Sequence, residues 1–248
     1  MPFISVIIPY YKKKNFIEDT LKSIINQTYQ NFEVIIVDDE LSLESKQVLQ
    51  KVLKLDKRIK IILNNKNIGA GLSRNKGIEI SNGDYICFCD SDDLWKHTKL
   101  EKQLEFMKNS NLAFSFTSYE IINLENKKIK KNRIAKNKLN FNDLINSCDI
   151  GLSTVMIQKK VFKNKDLRFA SLKTKEDYML WLKIAKLGYK LYGLDEILVS
   201  WKKTNNSLSS SVYQKLKDGF KIYNEYLGYN KLKSIFLLLV LSINFLLK

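Results

Sequence analysis

The eleven residues YICFCDSDDLW, from Tyr85 to Trp95, decide the fold. A mostly apolar run ends abruptly in Asp90, Asp92 and Asp93. The run reads as a buried strand, and Cys87 and Cys89 share one of its faces because side chains alternate with period two. Two carboxylates about 4 Å apart repel by roughly 4 kcal/mol at an effective dielectric of about 20. A strand that ends this way needs a bound cation, a raised pKa or open solvent to offset that repulsion.

Strand and helix patterns alternate on the N-terminal side of this stretch. FISVIIP (residues 3–9) is a continuous β-branched run, as in a strand covered on both faces. In NFIEDTLKSIINQTY, Phe16, Ile17, Leu21, Ile24 and Ile25 recur at helical spacing, and Asn15 with Glu18 reads as a capping box. FEVIIVDD is a second buried strand, LESKQVLQKVLK a helix, IKIIL a third strand and AGLSRNKGIEI a helix that leads into Tyr85. WKHTKLEKQLEFMK predicts a further helix with Leu100, Leu104 and Met107 on one face. This order implies an α/β fold with a mainly parallel central sheet, in which ligands bind outside the carboxyl ends of the strands. Asp38 and Asp39 end the second strand, so both acidic clusters are expected to face one crevice.

The pattern changes after Asn111. LAFSFTSYEII reads as a strand, and ENKKIKKNRIAKNK as a solvated loop or hairpin with seven basic residues between Lys127 and Lys138. STVMIQKKVF reads as a strand leading into a short helix, EDYMLWLKIAKLG as an amphipathic helix stopped by Gly188, and ILVSW as a late strand. SVYQKLKDGFKIYNEYL is a surface helix. IFLLLVLSINFLL (Ile235–Leu247) is strongly apolar and flanked by Lys231, Lys233 and Lys248, yet shorter than the about 20 residues of a spanning helix. A buried helix, an interfacial anchor and the start of a longer segment all stay open for it. The expected division is one domain over residues 1–210 and a helical extension over 211–248.

Composition narrows the function. The 248 residues carry a net charge of +16, which favours polyanions: nucleic acid, anionic lipid or phosphorylated small molecules. Lys far outnumbers Arg, which suits general attraction better than bidentate base reading. The three cysteines offer one C-x-C without a second pair, a small-core pattern rather than a zinc site. MPFISVIIPYY has no basic leader before its apolar run, so no secretory signal is expected.

The turn after the first strand, YYKKKN, has no glycine, and GAGLSR after the third has Arg74 where a last glycine belongs. With no G-x-x-x-x-G-K-[ST] either, dinucleotide and P-loop sites are excluded. His97 is the only histidine and no G-x-S-x-G surrounds a serine, which removes the common hydrolase triads. What remains is acidic. Asp90 and Asp92 form D-x-D at a strand end, and hard oxygens of this kind suit Mg²⁺ or Mn²⁺ completed by substrate phosphates.

Several ordered blocks now carry a resemblance. SVIIPYY, LKSIINQTYQNFEVIIVDDE, NIGAGLSRNKGIEISNGDYICFCDSDDLW, KLEKQLEFM and KEDYMLWLKIAKLGY together resemble the inverting glycosyltransferases of family 2, over about residues 3 to 210. The resemblance implies a GT-A fold, a UDP-sugar donor and a lipid-linked or surface-polysaccharide acceptor. It implies that Tyr11 packs against the base, that Asp39 accepts from uracil, and that Asp38 orders the turn or the ribose. Arg74 then lies near the diphosphate, Asp90 and Asp92 form the metal site for Mn²⁺ or Mg²⁺, and Asp93 holds the sugar or caps a helix beginning at Leu94. Pro9, Ser91 and Lys202 join the donor-binding set. Asp177 is implied as the general base, with Glu176 as the nearby alternative.

Three departures from the family pattern stand out. Leu41 stands where a small or polar residue is common, and His97 where a proline is common. In VSWKKTNNSLS, Lys202, Lys203 and Thr204 stand where many relatives carry R-x-H, so metal binding is expected to lean on the D-x-D and the donor. Two rivals remain: a nucleotidyltransferase, which releases pyrophosphate instead of UDP, and a non-catalytic polyanion-binding module, which the acidic crevice opposes. The basic charge and apolar tail fit a cytoplasmic protein docked on the inner, anionic face of a bacterial plasma membrane, with no nucleic-acid partner. The sequence does not fix the oligomeric state.

Overall fold

A computed structural model describes residues 1–204 and 211–247. The expected domain boundary near residue 210 therefore lies outside the described residues. The strands are β1 (Ile4–Tyr10), β2 (Phe32–Asp38), β3 (Ile59–Leu63), β4 (Tyr85–Phe88), β5 (Leu94–Trp95), β6 (Phe114–Ile122), β7 (Lys138–Leu139), β8 (Met156–Gln158) and β9 (Leu191–Lys202). The helices are α1 (Ile17–Ile25), α2 (Leu43–Leu53), α3 (Ala70–Ile80), α4 (Lys99–Asn109), α5 (Phe141–Leu144), α6 (Glu176–Lys186), α7 (Val212–Lys221) and α8 (Lys231–Leu246).

The strands form one sheet in the order β3-β2-β1-β4-β8-β6-β9-β5, with β7 on β9. β3, β2, β1 and β4 run parallel, as their continuous apolar runs require. The second half is mixed: β8 is antiparallel to β4 and β6, while β6 and β9 are parallel to each other. Period two divides the core between the two faces. Ile7, Ile86 and Phe88 pack with Trp181 on one side, and Val6, Ile8, Cys87 and Cys89 pack with Leu100 and Met107 on the other. The cysteines are core residues, and burial pushes the Cys87 thiol up to about 11.

Two local expectations are corrected. Asn15 and Glu18 form no capping box: α1 starts after Phe16 without a side-chain cap. The amides of Phe16 and Ile17 donate instead to the Lys13 carbonyl, and Glu18 pairs with Lys22 at 2.8 Å. Nor does a helix begin at Leu94. Leu94 and Trp95 pair antiparallel with Ser200 and Val199, and α4 starts only at Lys99. Trp95 is buried there and its indole donates to the Ser153 carbonyl at 3.1 Å, a fixed position that a helical start would forfeit.

The basic segment folds back on β6 through bridges Ile122–Lys128 and Tyr119–Arg133, with Lys127, Lys128, Lys130 and Lys131 exposed. α7 and α8 lie against the body. Ile222, Tyr223, Leu237 and Leu241 join the same core as Trp181, and Asn244 donates to the Asn146 carbonyl at 2.9 Å. No helix among the described residues is long and apolar enough to cross a membrane.

Candidate active site

The carboxyl ends of β1, β2 and β4 converge with the first turns of α3 and α6. Asp39 is 2% exposed, and its carboxylate accepts from Asn64 Nδ2, Ile68 N and Gly69 N, each at 2.8 Å. These three donors fix the loop that turns into α3 and leave about one of the roughly four acceptor positions of a carboxylate open. Asp38 is fully buried and accepts from Glu40 N at 3.0 Å and Ser45 Oγ at 2.8 Å, so it orders the turn into α2. Pro9 is buried within β1 opposite Val37, one step behind the crevice. Tyr11 follows the strand end and is 40% exposed, with the Lys12 ammonium 5.2 Å from its ring centre.

With its loop fixed, α3 delivers Arg74 to the centre. The side chain is nearly fully buried; Nη2 donates to Asp90 Oδ1 at 2.7 Å and Nη1 to Glu176 Oε1 at 2.6 Å. Burial works against its charge, but Asp90 and Glu176 outweigh burial and hold the guanidinium above its ordinary pKa. This one residue joins the end of β4 to the start of α6. Close packing helps: a Cβ on Gly71 would lie 3.0 Å from both the Ala170 carbonyl oxygen and Glu176 Cγ.

The acidic strand end divides its work among three carboxylates. Asp90 faces Arg74 with about a third of its side chain open to the crevice. Asp92 meets Lys13 Nζ at 2.6 Å. Burial and then Asp90 push the Asp92 carboxyl up, with Lys13 opposing. Asp93 is buried and caps no helix: it accepts from Ser153 Oγ at 2.5 Å and from the Lys202 amide at 2.9 Å. Burial, then Asp90 and Asp92, push its carboxyl well above the usual range. It ties β4 to β9. Ser91 is buried between these carboxylates in sequence, and the Lys202 ammonium stands 5.3 Å from the Phe16 ring centre. Internal cations and shifted protonation thus offset the repulsion expected of DSDD.

Asp177 occupies the first turn of α6, after Lys175 in a left-handed conformation (φ 61°). Its Oδ1 accepts from the Tyr178 amide at 2.7 Å. Crowding by protein raises the carboxyl to about 7: burial is the main cause and Glu176 the second, with the Tyr178 amide and Arg74 opposing. The residue as a whole is partly exposed.

Sequence reasoning missed Lys13, Ser153 and the Arg74–Glu176 pair. Lys13 sits in a basic trio after β1 with nothing local to single it out from Lys12 and Lys14. His97 is exposed on the surface, in keeping with a non-catalytic residue. A separate cavity opens at the amino end of β4, lined by Asp84, Tyr85, Lys159 and Arg168, away from this chemistry.

No cluster of three or more ligating side chains occurs among the described residues. The pair Asp90 and Asp92 still suits Mg²⁺ or Mn²⁺, which are commonly held by one or two carboxylates with substrate phosphates supplying further oxygens.

Comparison with known proteins accords with this geometry. The profile of "Glycosyl transferase family 2" matches residues 5–166. The Bacillus subtilis (strain 168) protein named putative teichuronic acid biosynthesis glycosyltransferase TuaG is 37% identical over 224 residues, 90% of this chain and 88% of that one. The Escherichia coli UDP-Glc:alpha-D-GlcNAc-diphosphoundecaprenol beta-1,3-glucosyltransferase WfgD is 33% identical over 238 residues, 95% of this chain and 90% of that one. Staphylococcus aureus TarS 1-349 in complex with UDP-GlcNAc superposes with TM-score 0.73 at 21% identity, covering 96% of this chain and 70% of that one. The mannosyltransferase PcManGT of Pyrobaculum calidifontis, in complex with GDP-Man and Mn²⁺, superposes with TM-score 0.70 at 13% identity, over 93% of this chain and 65% of that one. These structural likenesses bear on the fold. The profile over residues 5–166, with relatives matched along 90% and 95% of the chain, decides the family: the chain belongs to glycosyltransferase family 2 and is a glycosyltransferase of GT-A-like fold.

Proposed function

We propose that the chain moves a sugar from a UDP-sugar to a hydroxyl of a lipid-linked oligosaccharide or surface-polysaccharide acceptor, with inversion at the anomeric carbon. The observation that carries the reading is Asp177: a carboxyl raised to about 7, linked through Glu176 and Arg74 to the D-x-D. A base is most effective with a pKa near the working pH. Asp177 takes the proton of the acceptor hydroxyl as that oxygen bonds to the anomeric carbon. The bond from that carbon to the diphosphate oxygen breaks on the opposite face, and UDP leaves. An α-linked donor therefore gives a β-linked product. Tyr11 stacks on uracil, the remaining acceptor position of Asp39 takes its N–H, and Asp38 keeps the turn beneath the ribose in place. Arg74 and Lys202 set positive charge near the diphosphate. Asp90 and Asp92 would hold Mn²⁺ or Mg²⁺, which when bound would supply Lewis acidity toward the diphosphate.

The test is product release from purified protein given UDP-sugars, Mn²⁺ and a diphosphate-lipid acceptor. UDP is expected, with loss of transfer in EDTA and recovery on adding Mn²⁺. Pyrophosphate in place of UDP would establish the nucleotidyltransferase instead, and full activity in EDTA would remove the metal from the reading.

The acceptor's lipid suggests where the enzyme works: peripherally, on the inner face of a bacterial plasma membrane. Leu232, Ile235, Phe236, Leu239, Ile243 and Leu246 recur at spacings of three and four along α8 and are exposed, while Ser234, Leu237 and Leu241 face the body. Exposed Lys231 and Lys233 stand at the start of that helix. An apolar stripe with flanking lysines suits an anionic bilayer surface, where each Lys near the headgroups contributes about 1 kcal/mol. Sedimentation with phosphatidylglycerol vesicles is expected for the wild type. Phe236→Ser with Leu239→Ser should abolish it and leave UDP binding intact; undiminished sedimentation of that variant would dismiss α8 as the docking face.

A further inference from the structure

The acidic strand end holds two internal cations, and they differ in kind. Arg74 is buried and bonded through two nitrogens to two carboxylates on different elements, so it is fixed. Lys13 is carried on the turn after β1, behind Lys12 in a left-handed conformation (φ 52°), and its side chain is 20% exposed. Its ammonium donates to Asp92 Oδ2 at 2.6 Å and to Thr204 Oγ1 at 3.1 Å. Among the described residues it is the one cationic side chain paired with Asp92.

Those two oxygens belong to the second carboxylate of the D-x-D and to Thr204, two residues past the end of β9. The ammonium therefore lies between the two chain segments that face each other across the acidic strand end. A lysine is suited to such a post: a compact point charge with three rotatable donors on a flexible stem, able to swing away as a guanidinium fork locked to two carboxylates is not. A divalent ion on Asp92 would stand across that carboxylate from the Lys13 ammonium, cation against cation, so each weakens the other's hold on it.

We infer that Lys13 is a built-in counter-ion that occupies Asp92 until a divalent metal displaces it, so that metal binding is a competition inside the protein. This rests on Asp92 being a metal ligand. The consequence is a site that binds free metal poorly. Metal arriving with a nucleotide diphosphate fares better, because the diphosphate contributes oxygens to the ion and an anionic partner for the released ammonium.

The test is direct Mn²⁺ binding, followed by the loss of the free-ion electron paramagnetic resonance signal at pH 8, with and without UDP. Lys13→Gln and, as a second version, Lys13→Met are expected to bind Mn²⁺ about tenfold or more tightly than wild type in the absence of UDP. Lys13→Arg, which keeps the charge, should bind no more tightly than wild type. Lys12→Gln controls for a general loss of positive charge and should shift the affinity by less than about twofold. The inference fails if Lys13→Gln and Lys13→Met bind Mn²⁺ no better than wild type, or if Lys12→Gln tightens binding as much. Wild type that binds Mn²⁺ with UDP while the Lys13 variants do not differ from it overturns this inference alone. No Mn²⁺ binding by any of these proteins, even with UDP, overturns the metal reading and this inference together.

Discussion

Asp177→Asn is expected to lose sugar transfer by about 10²–10⁴-fold, the usual contribution of a positioned base, while the protein becomes more stable. The two effects share one cause. Burial and Glu176 lift the carboxyl from the ordinary 3.8 to about 7, so the folded protein holds this proton more tightly than the unfolded chain does. Between those pH values the native state binds more protons, and stability falls as pH rises. The contribution is fully present below the unfolded pKa and is lost once pH passes the folded one. Asparagine carries no charge at any of these pH values, and its Oδ1 can still accept from the Tyr178 amide. The variant should therefore match wild type near pH 4 and exceed it at pH 8 by about 2 kcal/mol, after allowance for partial solvent contact. For a chain of this size that is about 4–8 °C in Tm. Denaturant unfolding at pH 4.5 and pH 8 measures the difference, and kcat/KM against pH should show a wild-type limb near 7. A variant that is active, or that gains nothing at pH 8 over pH 4.5, removes Asp177 as the base.

How much of this site was legible in the sequence follows from the range of the interactions. β3 and α3 have the bounds their local patterns give, Ile59–Leu63 and Ala70–Ile80, because continuous β-branched runs and helical punctuation are short-range signals. β5 was hidden because two residues make a strand only when a partner supplies the ladder, and Leu94 and Trp95 find theirs in β9, about a hundred positions later. The same distance concealed the use of Asp93, whose donors are Ser153 and Lys202. The capping box failed for a different reason: the Lys13 carbonyl already accepts from the first helical amides, so the start of α1 is set by backbone. Asp38, Asp39, Asp90 and Asp92 stand out locally as carboxylates at strand ends, whereas Arg74 and Asp177 were singled out by the family resemblance, since an acidic residue in a helix's first turn is common by itself. The pairings that hold them were not, since nothing local marks Glu176 as the partner of Arg74 or Lys13 as the partner of Asp92.

Replacing that hub is the most damaging change expected for stability. Arg74→Met keeps most of the side-chain volume, including a contact with Phe169, over whose ring the guanidinium carbon now stands at 5.4 Å. It leaves Asp90 and Glu176 facing each other without a cation. Removing one partner of a buried pair costs about 3–5 kcal/mol. Because Asp90 is a third exposed, we expect about 2–4 kcal/mol here, or roughly 4–16 °C in Tm. Arg74→Lys restores one charge but not the two-armed geometry, and should recover only part of the loss. Arg74→Met with Asp90→Asn tests whether the penalty is the stranded charge. The double variant should be more stable than Arg74→Met alone, and strict additivity of the two losses would place the cost elsewhere. Arg74 also pulls the Asp177 carboxyl down. Its loss should move the limb of the pH–rate profile to higher pH, a shift that lost packing at a distance would not produce. Stability and the proton affinity of Asp177 thus meet in one guanidinium, which holds the D-x-D strand end and the first turn of α6 in a single frame.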